Sequence, residues 1–172
     1  MTDRQLINLA VQASRNAYVP YSHFAVGAAL ECRDGTVFTG CNVENAALGS
    51  TICAERTAAC KAVSEGHRDF VRIAVYGDGE HYCYPCGACR QFLAEFAPDM
   101  EVLSVMGGGR YVSNRLSELM PIPLIIKGCA MELEQLRIFC AVAACRSFTR
   151  AAKELFVSHS TTSRAVTALE RE

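Results

Sequence analysis

The sequence predicts a mixed α/β fold, one sheet covered by helices, followed by a short all-α tail. Three observations carry this. Segments of helical and strand period alternate along most of the chain in the order helix, hairpin, helix, strand, helix, strands. Past Pro121–Pro123 the composition changes, and beyond Met131 only helical patterns remain. A chain of 172 residues, 51% hydrophobic and 20% charged, has room for one globular domain with a small appendage. The boundary is expected at about residue 130, which gives domains 1–130 and 131–172.

Leu6, Leu9, Ala10, Ala13 and Ala17 recur at helical spacing, and Pro20 is expected to stop that first helix. "FAVGAALECRDGTVFTGCNVEN" gives two strands around the turn at "RDG". "CAERTAACKAVSEG" reads as a helix ending at Gly66, and "VRIAVYG" as a buried strand. "CGACRQFLAEFAP" reads as a helix closed by Pro98. "MEVLSVMGGGRYVS" offers two short strands about a glycine turn, without the strand-to-helix context of a phosphate loop.

Net charge is −1, so no global field recruits nucleic acid or an anionic membrane. The first residues form an amphipathic helix pattern rather than a signal peptide, and runs such as "PIPLII" are far too short to cross a bilayer. A cytoplasmic protein with no membrane association is expected. With no export signal, the 10 cysteines read as free thiols or metal ligands of a reducing compartment. Cys32, Cys41, Cys60, Cys83, Cys129, Cys140 and Cys145 lack ligand-like spacing and are expected to be small buried hydrophobes.

The remaining three stand out. "TICAERTAAC" holds Cys53 and Glu55, and "YPCGACRQF" holds Cys86 and Cys89. A C-x-x-C pair alone can be a redox pair, two buried thiols or half of a structural zinc site. Here both cysteine groups sit at the mouth of a predicted helix, where the N-terminal dipole lowers thiolate pKa and suits Zn²⁺. Three thiolates leave the fourth tetrahedral position open, the mark of a catalytic zinc. Glu55 is then free to move protons, a role worth roughly 10²–10⁴-fold in rate. Its bland alternative is a first-turn carboxylate that complements the helix dipole.

With "YSHFAVGAAL", "GCNVENAA", "CAERTA" and "PCGACRQ" in that order, residues 1 to about 128 resemble a cytidine deaminase of the short, three-cysteine, homotetrameric type. The resemblance implies a three-layer α/β/α fold with a mixed sheet of about five strands. It implies one zinc per chain on Cys53, Cys86 and Cys89, with Glu55 moving a proton to N3 of cytosine and then to the departing amino group. Arg56 matches an arginine that softens the charge of the ligand sulfurs. Asn42 and Glu44 match residues that bond the ribose hydroxyls, Ala46 and Ala54 match backbone contacts to sugar or base, and Phe24 matches an aromatic that packs on the pyrimidine. Its alternative is a core Phe in a strand. Gln91 matches a residue that helps to hold the zinc site. The implied reaction is hydrolytic deamination of cytidine and 2′-deoxycytidine in pyrimidine salvage. Leu48 and Leu124 stand where the family often has aromatic rings at subunit contacts.

In the tail, Leu133, Leu136, Phe139, Val142 and Ala143 form an apolar stripe, Ser147 caps a second helix and Ser158 a third. The pattern resembles the helix-turn-helix start of LysR-type transcriptional regulators, with Ser158, His159, Ser160, Thr162 and Arg164 heading the recognition helix. Residues 131–172 hold six Lys and Arg against five Asp and Glu, a thin basic balance, so DNA binding by the tail is not expected.

Overall fold

In a computed structural model the backbone is described for residues 1–124 and 133–169, and side chains for 1–124 and 137–167. The chain divides into two compact units, Met1–Ile125 and Ile126–Glu172. The boundary expected at about residue 130 and Cys129 both lie outside the described residues.

The first unit opens with α1 (Asp3–Ser14), started by a capping box in which the Thr2 hydroxyl accepts from Gln5 N and the Gln5 side chain accepts from Thr2 N. The helix ends at Ser14, well before Pro20, and Ala17 lies beyond it in a turn. β1 (Val26–Cys32) and β2 (Val37–Cys41) form the hairpin, turned at Gly35, whose φ of +85° needs glycine. Then follow α2 (Ala54–Ser64), β3 (Phe70–Gly77), α3 (Gly87–Ala94), β4 (Glu101–Val105), β5 (Tyr111–Arg115) and a single helical turn, α4 (Leu116–Leu119). α3 stops short of Pro98, its end closed by backbone bonds from Phe96 and Ala97 to Leu93 O.

The sheet runs β2-β1-β3-β4-β5 and is antiparallel except for β3–β4, which α3 joins as a crossover. α1 covers one face, packing Leu6, Ile7 and Ala10 on Ala29, Ala74, Leu103 and Val105. α2 and α3 cover the other, with Ala54, Ala58, Ala62 and Leu93 on Ala28, Leu30, Ile73, Val75 and Val102. This is the expected three-layer α/β/α arrangement around five mixed strands. Because β1 is antiparallel to both β2 and β3, those two strands point the same way and end at one edge of the sheet. Each is followed by a helix on the same face, so α2 and α3 begin at that edge.

The second unit has α5 (Leu133–Cys145), α6 (Phe148–Glu154) and α7 (His159–Leu169). Ser147 caps α6 by accepting from Arg150 N, and the Ser158 hydroxyl accepts from Thr161 N at the head of α7. Among its described residues Ile138, Ala165 and Val166 are buried together, with Val142 and Leu155 against them. One expectation is corrected here. The inward face of α5 runs through Ile138 and Val142, so Phe139 and Ala143 are exposed, while Leu133 and Leu136 have no described side chains. Thr162 is fully buried with its hydroxyl donating to Ser158 O, so it faces the helices rather than a groove.

Among the described residues no helix is long and apolar enough to cross a membrane. Of the cysteines expected to be buried, Cys32 is; Cys41, Cys83 and Cys145 are half-buried, and Cys60 and Cys140 are exposed.

Candidate active site

The edge where α2 and α3 begin is built by their cap positions. Cys53 is the N-cap of α2 and Cys86 the N-cap of α3, both with extended backbone and neither with a side-chain capping bond. Their thiols are therefore free to turn outward, while Cys89, one turn into α3, is fully buried. The three sulfurs lie within 4.8 Å of one another, and Cys53 Sγ is 3.9 Å from Cys86 Sγ. Thiolates about 2.3 Å from a tetrahedral zinc are about 3.8 Å apart, so the donor set and its spacing fit that ion. A redox pair would need only Cys86 and Cys89; the third sulfur has no part in one.

Electrostatics prepares the cluster. A hydrogen bond from the Cys89 thiol, followed by Arg56 and Cys86, brings Cys53 down to about 5 against the effect of burial. Cys89 is pushed up by its bond to Cys53 and by burial. Arg56 Nη2 lies 3.5 Å from Cys53 Sγ and donates to Thr51 O at 3.0 Å. Its Nε is buried without a partner. Three thiolates on Zn²⁺ would carry a net −1, and this guanidinium stands where it would offset that charge.

Glu55 is 3% exposed in the first turn of α2, and burial pushes its carboxyl up to about 7. A surface carboxylate complementing the dipole would be solvated; this one is buried beside thiols and poised near neutrality.

The second group lies on the turn ahead of β1. Asn42 Oδ1 accepts from Val26 N at 2.9 Å and its Nδ2 donates to Phe24 O at 3.0 Å. Glu44 accepts from Tyr21 N and Ser22 N, both on Oε2, and the Ser22 side chain together with these bonds holds its carboxyl below the usual carboxylate range. Val43, between them, is exposed, so the two side chains do share a face, toward residues 18–26. Phe24 is no core strand residue: it precedes β1, is 39% exposed and lies over Gly77 and Gly79. A Cβ on Gly77 would stand 2.6 Å from Phe24 Cζ and 3.1 Å from Cys83 Sγ, so only glycine admits the ring there. His23, just before it, holds a left-handed φ of +55°, a strained state kept by the bonds around it. Ala54 is buried as the first residue of α2, and Ala46 is exposed in the segment leading to Leu48.

Gln91, which the resemblance implies helps to hold the zinc site, bonds the backbone at residue 124. Its Oε1 accepts from Leu124 N and its Nε2 donates to Leu124 O, both at 2.8 Å, so its amide holds residue 124 rather than the thiols. Sequence reasoning passed over Arg90, which donates to Pro85 O and Leu119 O. The signal was available: position 90 is one helical turn beyond Cys86 and so faces back to the cysteine loop.

The family described as "Cytidine and deoxycytidylate deaminase zinc-binding region" matches residues 1–105. "Bacterial regulatory helix-turn-helix protein, lysR family" matches residues 133–172. The chain is 54% identical over 121 residues to a cytidine deaminase of Halalkalibacterium halodurans, covering 69% of this chain and 92% of that one. It is 32% identical over 128 residues to a blasticidin-S deaminase of Bacillus cereus, covering 70% and 90%. In structure it is similar to a cytidine deaminase from Burkholderia pseudomallei, with 45% identity and a TM-score of 0.70 over 72% of this chain and 100% of that one.

Proposed function

The chain belongs to the cytidine and deoxycytidylate deaminase family and hydrolyses cytidine to uridine and ammonia with zinc held on Cys53, Cys86 and Cys89; on that premise we propose how its residues share the work and what else it acts on. The observation that carries the assignment is a buried carboxyl, Glu55, beside three thiols within 4.8 Å of one another. Zinc, when bound there, supplies Lewis acidity that makes water a competent nucleophile near neutral pH. Glu55 takes the proton from the attacking water, passes it to N3 of the cytosine ring as C4 is attacked, and carries a proton to the departing amino group. Arg56 tempers the thiolate charge through Cys53. Phe24 packs on the pyrimidine, Glu44 presents its carboxylate to the sugar hydroxyls, and Asn42 holds the turn between them. Backbone at Ala46 and Ala54 completes the sugar and base contacts.

The family spans cytidine and deoxycytidylate deaminases, which supports 2′-deoxycytidine as a second substrate, and the enzyme works on free nucleosides in cytoplasmic pyrimidine salvage. A homotetramer is its working form; Leu48 and Leu124, 75% and 69% exposed, are apolar groups that subunit contacts would cover. The tail, with its thin basic balance, does not bind DNA on its own; the lysR-family match is what favours the opposite reading.

Purified protein should contain about one zinc per chain and convert cytidine to uridine, followed by the loss of cytosine absorbance. Glu55→Ala should lower kcat by at least about 10²-fold with zinc content unchanged; loss of zinc alongside activity would return Glu55 to a structural part. Salt-dependent binding of a duplex that disappears when the chain is ended at residue 130 would overturn the reading of the tail.

A further inference from the structure

We propose that Arg90 is a positioning residue for the metal ligand Cys86: one guanidinium fixes the loop that delivers this thiol and ties it to the segment after β5. Arg90 Nε donates to Pro85 O at 2.7 Å, immediately ahead of Cys86, and Nη1 donates to Leu119 O at 2.8 Å, in α4. The planar fork sets both bonds from one rigid group.

The loop needs such an anchor. Pro85 is buried and has no N–H, so its carbonyl is the one backbone group through which that residue can be held. Upstream, Cys83 N reaches Val105 O at 3.3 Å and Tyr84 N closes a local bond to Tyr82 O. Between these and α3 the Arg90 contact is what fixes the approach to Cys86, which is exposed and has no capping bond of its own. Among the described residues Arg90 is paired with no carboxylate, so its donors are directed to carbonyls alone. Gln91, its neighbour, fastens the same segment through Leu124, and among the described residues its side chain makes no hydrogen bond to the cysteine loop. Adjacent residues therefore separate two effects: holding the segment, which both do, and holding the loop, which only Arg90 does.

This rests on the assignment of zinc to the three cysteines, and the test reads the metal rather than turnover. Zinc-loaded, full-length protein is mixed with a colorimetric chelator and the rate of zinc release is followed, with circular dichroism confirming the fold. Arg90→Ala should release zinc about 10- to 100-fold faster than the parent, the range for groups that orient metal ligands. Arg90→Lys should fall between them, since an ammonium can keep one carbonyl bond of the two, and it carries the test if the alanine variant does not fold. Gln91→Ala should stay within about 2-fold of the parent, well under that range. Equal release from Arg90→Ala and parent would overturn the proposal. So would equal acceleration by Gln91→Ala, which would trace the effect to the C-terminal segment. A parent protein that takes up no zinc would instead overturn the metal assignment beneath it.

Discussion

Asn42 has two polar side-chain atoms, and the turn ahead of β1 engages both. If Asn42 serves substrate binding as proposed, part of its effect should travel through Phe24 and not depend on the sugar. Asn42→Ala should raise KM for cytidine about 10-fold, the size of a neutral hydrogen bond or two lost from a half-buried group. Most of that penalty should persist with 2′,3′-dideoxycytidine, which lacks the hydroxyls; a penalty that vanishes with that substrate would make Asn42 a sugar ligand and nothing more. The residue scale is also where the sequence was most and least legible. Cys53, Cys86, Cys89 and Glu55 could be found by spacing, because helix caps fix where such side chains emerge. The partners of Gln91 and Arg90 are backbone carbonyls and amides, which every residue carries, so spacing could turn Arg90 toward the cysteine loop but could not name the groups that either side chain holds.

The helices of the two sheet faces are seated by glycine in the strands beneath them. A Cβ on Gly40 would stand 2.5 Å from Ala54 O and Ala58 N of α2, and a Cβ on Gly27 would stand 2.0 Å from Ala10 O of α1. Either helix must move to admit a methyl group, at about 1–3 kcal/mol by the usual size of overpacking. Only α2 carries site residues. Gly40→Ala should therefore lower both the melting temperature and zinc affinity, whereas Gly27→Ala should lower the melting temperature alone. Thermal melts paired with zinc titrations decide it, and a Gly40 variant with unchanged affinity would show that α2 can shift without disturbing Cys53. At this scale periodicity located every strand and the long helices, but it overran the ends of α1 and α3 and missed α4. Those ends are set by local backbone bonds, to which the apolar pattern is blind. In α5 the stripe was read one residue out of phase at Phe139, since two overlapping apolar faces share one short helix.

Across the molecule, charge and unit size set how stability is distributed. Arg72 joins Asp3 at 2.7 Å and also Glu31, tying α1 to β1 and β3. Burial alone would raise the Glu31 carboxyl, but the bonds from Arg72 and the Met1 ammonium outweigh it and lower its pKa. A lowered carboxylate stabilises the fold fully above its unfolded value of about 4.3, and that contribution fades as pH falls through the folded value. Glu31→Gln should cost about 1–3 kcal/mol near neutral pH, with the gap to the parent narrowing in acid. Urea unfolding at two pH values measures it; a constant gap would remove Glu31 from the acid response. The second unit, Ile126–Glu172, sits near the roughly 40-residue limit for independent folding. Its helical signal should be lost at lower urea than zinc is released, and a single coincident transition would show that the units unfold as one.

Cys53 and Cys86 are 33 residues apart in the chain and 3.9 Å apart at their sulfurs. An ion gripping both is a staple as well as a reagent. It closes a long loop that the unfolded chain would leave open, a constraint worth about 3–4 kcal/mol if it acts as a covalent crosslink does. Stripping the metal should therefore lower the unfolding free energy by about that amount as well as stop turnover. A cell short of zinc would lose this enzyme twice, first as a catalyst and then as a folded chain within reach of proteases.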